Sequence, residues 1–209
     1  MGMYEEHCLP FLIDKACGSP AIQHLRQKIV PLAEGVVLEV GMGSGLNLPF
    51  YDADKVELIW GLEPSLGMRK RAQKNIDRSP IQVNWLDLKA EQIPLDDNSV
   101  DTILLTYTLC SIPDWKLALQ QMRRVLKPDG KLLFSEHGAA PDAPVLKWQN
   151  RITPVWKKLG GGCHLNRPIS QYIDEAGFKI ISLEADYIAN APKIAGFNYS
   201  GIAVQGQHL

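Results

Sequence analysis

VVLEVGMGSGLNLPF, residues 36–50, is the stretch on which the reading of this chain turns. Its apolar start, Val36, Val37, Leu38 and Val40, stops at Gly41, Gly43 and Gly45. Buried parallel strands read as continuous apolar runs, and a glycine cluster marks the tight turn that follows. Glycine takes positive φ and lets another molecule approach the backbone closely. Glu39 stands inside the run, where burying a charge is unfavourable unless it finds a partner. This combination points to a nucleotide-like ligand at the end of the first strand of an α/β sheet. The spacing narrows that ligand. A dinucleotide fingerprint reads G-x-G-x-x-G, its last glycine packing the helix on the strand. Here the third glycine comes one residue early, and Leu46 takes the place reserved for it.

The pattern is instead Glu-x-Gly-x-Gly-x-Gly, which resembles motif I of the class I S-adenosylmethionine (SAM) methyltransferases. The resemblance implies an α/β fold, a Rossmann-like seven-stranded sheet with helices on both faces, whose final strands form an antiparallel hairpin. It also implies SAM as cofactor, S-adenosylhomocysteine as product, and Glu39, Gly41, Met42, Gly43, Ser44, Gly45 and Asn47 as cofactor-binding residues. A glycine loop by itself is also compatible with a strand-to-helix turn that binds nothing.

Bulk properties set the outer limits. A length of 209 residues fits one domain with a substantial core. A net charge of -1 gives no electrostatic reason to expect nucleic acid or an anionic membrane. The run Arg69, Lys70, Arg71, Lys74 reads as a solvated helix face. Cys8, Cys17, Cys110 and Cys163 lack CxxC or metal-type spacing, so no metal is expected and a reducing compartment suits them better than a disulfide framework. No signal-peptide layout and no run of eighteen apolar residues is found, so a cytoplasmic protein without an integral membrane segment is expected, with peripheral membrane contact left open.

Working outward from the glycine loop, residues 1–35 read as helices, from Tyr4 to Cys17 and from Ala21 to Val30. In the second, Ile22, Leu25 and Ile29 form an apolar stripe with Arg26 and Lys28 read as outside it. These helices either cover a sheet edge or form a lid that brings Tyr4 and His7 to the site. Val56 to Trp60 is a second strand, and Glu63 follows the glycine loop by about the twenty residues at which a carboxylate meets ribose hydroxyls. Pro64 and Ser65 follow, which the resemblance places at the cofactor, Ser65 also capping a helix to Asn75 with Leu66, Met68 and Ala72 as core positions. Ile81 to Leu86 is a third strand ending at Asp87.

LKAEQIP, from Leu88, resembles the family's adenine-binding turn, with Leu88 and Lys89 where Gly and Asp are usual. Asp87, or backbone around Lys89 and Ala90, is left to contact the adenine. Asp101 opens a fourth strand, whose end at Thr106 and Tyr107 should face the sulfonium. Asp114 to Lys127 is an amphipathic helix, Pro128-Asp129-Gly130 a turn, and Lys131 to Ser135 a fifth strand ending at Glu136-His137-Gly138. The segment MRRVLKPDGKLLF resembles that after motif IV in type 11 methyltransferases, relatives of the ubiquinone C-methylating enzymes.

Beyond it, Val145 to Lys158 reads as a helix whose Trp148 and Trp156 either line a hydrophobic acceptor pocket or belong to the core, Pro168 to Ala176 as another helix, and Lys179 to Tyr187 and Gly201 to Gln205 as the last strands. A narrower likeness, to the small-thiol methyltransferase branch, rests on LEVGMGSGLNLPFY, TLCSI, SEH and TPVWKKLGGGCHLNR. The class I resemblance implies a single domain with a helical lid over residues 1–35, a SAM-binding core over 36–138, a substrate-pocket insertion over 139–167 and a C-terminal helix and strands over 168–209. The acceptor would be a small molecule, a thiol or a hydrophobic or lipid-like compound, with His137, His164 and Tyr107 as catalytic candidates. A SAM-binding protein without catalysis and a nicotinamide-dependent oxidoreductase are the alternatives.

Overall fold

The structure, a computed structural model, describes residues 9–206. Tyr4 and His7, and with them the start of the first expected helix, lie outside the described residues. The elements run α1 (Leu9–Cys17), α2 (Pro20–Ile29), β1 (Gly35–Val40), β2 (Val56–Leu62), α3 (Leu66–Ile76), β3 (Val83–Leu86), β4 (Val100–Thr106), α4 (Trp115–Val125), β5 (Leu126–His137), α5 (Ala143–Leu159), α6 (Ile169–Glu175), β6 (Phe178–Tyr187), α7 (Lys193–Gly196) and β7 (Phe197–Gln205). They form a seven-stranded sheet in the order β3-β2-β1-β4-β5-β7-β6. β1 through β5 pair in parallel, while β7 is antiparallel to both β5 and β6. The expected hairpin closes one edge.

Both faces of the central strands β1, β4 and β5 are buried, which is why these strands read as apolar runs rather than alternating ones. Leu38, Val40, Ile103, Leu105 and Phe134 pack with Leu119 and Met122 of α4 and Ile169 and Ile173 of α6. The intervening residues Val37, Leu104 and Leu133 face the other way, with Ile29 of α2. The strand order reverses between β1 and β4, and the crevice beyond their carboxyl ends is where such sheets take ligands.

Three expectations need correction. Pro128-Asp129-Gly130 lies inside β5 as a bulge, because Leu126 already pairs with Val100 and Lys131 resumes pairing at Thr102. Leu66 is 63% exposed, since it opens α3 on the solvent side, and Ala72 is the buried one of the three proposed core positions. Trp148 is 56% exposed and lies under the Arg151 guanidinium rather than in a core or pocket. What anchors α5 is Gln149, fully buried, whose carbonyl accepts from Ala140 N at 2.9 Å and whose amide donates to Gly138 O at 3.0 Å and Ile194 O at 3.1 Å. That clamp holds the insertion over the end of β5. Among the described residues no helix is long and apolar enough to cross a membrane.

Candidate functional site

A cavity of about 420 Å³ opens beyond β1 and β4. Its floor is the glycine loop. Gly41 and Gly43 have φ of 70° and 59°, and a Cβ on Gly41 would overlap the Thr108 side chain. Only glycine supports that path at low conformational cost. Glu63 sits at the wall, 9% exposed, with Oε2 accepting from Gly43 N at 3.0 Å and Oε1 from Ser65 N at 2.8 Å. Burial pushes its carboxyl above the usual range, while the two backbone donors pull the other way. Each oxygen keeps lone-pair capacity for hydroxyl donors.

Of the residues expected at the cofactor, Gly41, Met42, Gly43, Ser44, Glu63, Pro64, Ser65, Ala90, Thr106 and Tyr107 line this cavity. Lys89 and Glu91 complete the wall beside Ala90, so the segment after β3 does reach it. Glu39, Gly45, Asn47, Asp87 and Leu88 are not part of the lining. Glu39 instead accepts from Asn47 Nδ2 at 2.8 Å and Tyr51 OH at 2.7 Å, and burial raises its carboxyl to about 6. Asn47 is locked among Glu39, Arg26 and Thr106, and Gly45 packs against Ala72 of α3. Asp87 pairs with Arg69 at 3.1 Å in solvent, and Leu88 is exposed. Tyr4 lies outside the described residues.

Arg26, read from sequence as solvent-facing, is only 4% exposed and lines the cavity. Its Nη1 donates to Asn47 Oδ1 and to Thr106 Oγ1, the latter at 2.9 Å, and its guanidinium lies 5.7 Å from the Tyr107 ring. The signal was present: Ile22, Leu25, Arg26 and Ile29 hold the i, i+3, i+4, i+7 spacing of one helical face.

A second cavity, of about 650 Å³, adjoins the first. The two share Ile13 and Cys17 of α1, Tyr107 and Ser111. Its walls come from α2, the insertion and the segment between β6 and β7, with Ile22, Trp156, Leu165, Ile188 and Pro192 giving them an apolar character. Tyr107 stands between the cavities in an unusual conformation, φ 58°, which a non-glycine residue adopts only where its surroundings hold it. Its N–H donates to Ser135 O at 3.0 Å and its hydroxyl to Asn198 Oδ1 at 2.9 Å. Burial pushes its phenol far above the usual range.

His137 lines the second cavity, its ring stacked near Tyr107 with centroids 6.3 Å apart. Nε2 lies 3.2 Å from Cys163 Sγ, and the buried Nδ1 has no hydrogen-bond partner among the described residues. Burial lowers its imidazolium, but the hydrogen bond and charge of Cys163 and the charge of Glu136 outweigh it and leave the pKa raised. His164 is different. It lines neither cavity, and its Nδ1 sits 3.1 Å from Cys110 O, which makes it a brace for the turn after β4. Glu136, fully buried, holds the same turn by accepting from Thr108 N at 2.7 Å and Leu109 N at 3.1 Å.

The family model described as "Methyltransferase domain" matches residues 38–134. Thiol S-methyltransferase TMT1B of Rattus norvegicus is 35% identical over 156 residues, 72% of this chain and 63% of the relative. The chain thus spans somewhat under two thirds of that relative's length. Thiol S-methyltransferase TMT1A of Homo sapiens is 30% identical over 166 residues, 77% of this chain and 67% of the relative. Among solved structures, a SAM-dependent methyltransferase from Aquifex aeolicus superposes with a TM-score of 0.65 at 20% identity, covering 94% of this chain and 98% of that one. That last likeness speaks for the fold alone.

Proposed function

The chain belongs to the SAM-dependent methyltransferases, and from that membership we propose that it transfers the methyl group of SAM to the sulfur of a small, largely apolar thiol. The observation that carries the reading is the meeting of two largely apolar cavities at Tyr107, one of which also carries the glycine-loop backbone, Glu63 and Arg26. In the first, the backbone of Gly41 to Ser44 lies against the methionine part of SAM, Glu63 accepts from the ribose hydroxyls, and Lys89 to Glu91 flank the adenine. Arg26, buried beside Thr106, is the cation suited to the SAM carboxylate.

SAM brings its own leaving group, so the protein's tasks are to align acceptor and methyl and to keep water out. A thiolate asks little beyond a setting that favours its charge. Tyr107 separates donor from acceptor, and His137 is the polar group that meets the acceptor's sulfur in the second cavity. His164 is not assigned a chemical role. We read α1 and α2 as the lid over both ligands and residues 139–167 as the wall of the acceptor pocket, through Trp156, Gly160, Cys163 and Leu165. The free thiols of Cys17, Cys110 and Cys163 fit work in a reducing compartment such as the cytoplasm.

The test uses methyl-labelled SAM with a panel of thiols, phenols, quinols and amine lipids. The expected product is labelled thioether from apolar thiols. Label only on oxygen or nitrogen would refute a sulfur acceptor, and SAM binding without any transfer would refute catalysis.

A further inference from the structure

Cys110, His137 and Cys163 are separated by 27 and 26 positions in sequence, yet the fold gathers them at one wall of the second cavity. Their ligand-type atoms all lie within 4.8 Å of one another. We propose that these three side chains bind one thiophilic divalent cation, of which zinc is the type, with a fourth coordination position open to the acceptor cavity.

The donor set comes first. Two thiols and an imidazole are soft and borderline ligands, and two cysteines plus a histidine with an open position is an arrangement found at catalytic zinc. Geometry agrees. Zinc bonds to sulfur and nitrogen in a tetrahedral site set ligand atoms about 3.5–3.8 Å apart, so a group within 4.8 Å needs a side-chain adjustment of about 1 Å or less. The three ligands ride on separate elements that brace one another. Cys110 lies on the turn held by the Glu136 carboxylate, by His164 N at 2.9 Å from Cys110 O, and by Arg167 donating to Leu109 O and Ile112 O. His137 ends β5. Cys163 follows α5, and Trp156 Nε1 donates to its sulfur at 3.4 Å, a contact that suits a thiolate.

Buried cysteines often do no more than pack as small hydrophobes. Here His137 Nε2 and Cys163 Sγ already face each other at 3.2 Å, while Cys110 Sγ lies 3.4 Å from Ser111 Oγ and near enough to both for a cation to draw the three donors together. A disulfide between Cys110 and Cys163 is the other chemistry open to the pair, and it is an outcome of the test.

The cation's use follows from the thiol reading above, while its binding does not depend on that reading. An acceptor thiol takes the open position as thiolate, and its proton passes to solvent. The sulfur then attacks the SAM methyl carbon. The new sulfur–carbon bond forms as the sulfonium–methyl bond breaks, and the neutral thioether, a weaker ligand, departs with S-adenosylhomocysteine. No oxidation or reduction is involved.

The experiment titrates metal-stripped, fully reduced protein with Co²⁺ and then Zn²⁺, alongside Cys163→Ser and His137→Gln. Wild type should bind one equivalent of Co²⁺ with strong visible bands and a near-ultraviolet sulfur-to-cobalt charge-transfer band, both abolished by Zn²⁺. Each variant should bind at least about tenfold more weakly while keeping wild-type SAM affinity, which shows that it is folded. Absence of the charge-transfer band in reduced wild type, variants that bind Co²⁺ as wild type does, or a Cys110–Cys163 disulfide that persists under reductant would overturn the proposal. A small thiol added without SAM should alter the cobalt bands. If cobalt binds as described but no thiol is ever methylated, the function proposed above fails and the cation site stands.

Discussion

At the scale of single residues, Glu63 does two jobs. It pins the glycine loop to the start of α3 through Gly43 N and Ser65 N, and in the proposed function the same carboxylate accepts from the ribose. Glu63→Ala should therefore raise the SAM dissociation constant about tenfold or more, equivalent to about 1.4 kcal/mol, as measured by calorimetry. An unchanged constant would place the ribose elsewhere. Glu63 was legible in the sequence because its distance from the glycine loop is set by one helical turn-and-strand unit. Glu39 was legible as a buried charge, but not as a support one layer below the ligand, because only the fold shows Asn47 and Tyr51 closing over it. Arg26 was misread for a simple reason. Its charge argued for solvent, whereas its partners lie 21 and 80 positions away. The Cys110, His137 and Cys163 group was out of reach altogether, since nothing in local spacing tells that a turn, a strand end and a loop converge.

At the scale of elements, the strongest signals were the periodic ones. α4 was found because Ala118, Leu119, Met122 and Val125 repeat on one face and all are buried. Its start is fixed by Asp114, whose Oδ1 accepts from Leu117 N at 3.0 Å. Removing that cap in Asp114→Ala should lower unfolding free energy by about 1 kcal/mol and leave SAM affinity unchanged, since Asp114 lines neither cavity. A denaturant titration beside calorimetry checks both halves, and weakened SAM binding would mean that α4 transmits to the site. α5 shows the limit of periodicity. Its tryptophans suggested a buried face, but Gln149 is the residue that anchors it, and Trp148 stays in solvent. A polar anchor carries no apolar stripe for a sequence reading to catch. Likewise Pro128 and Gly130 announced a turn, and the strand absorbed them as a bulge by resuming its register at Lys131.

At the scale of the molecule, stability depends on acids buried beneath and beside the cavities. Glu39 holds its proton up to about pH 6, against an ordinary value of 4.5. The native state therefore binds this proton more tightly than the unfolded chain, and stability falls as pH rises through that interval, then levels off. The effect is about 2 kcal/mol. Glu63 and Glu136 are shifted in the same direction by burial, so they add to the slope. Denaturant titrations at about pH 5 and about pH 7 should show the loss, and Glu39→Gln should flatten part of it. A slope identical in the variant would refute the assignment. α1 carries a last consequence. Through Ile13 and Cys17 it belongs to both cavities, so under the proposed function donor and acceptor would share one wall. If one ligand orders that wall for the other, thermodynamic reciprocity makes the gain equal in both directions. The saturation curve of either substrate then shifts with the concentration of its partner, so a ranking of acceptors measured at one fixed donor concentration would misstate the enzyme's preference among them.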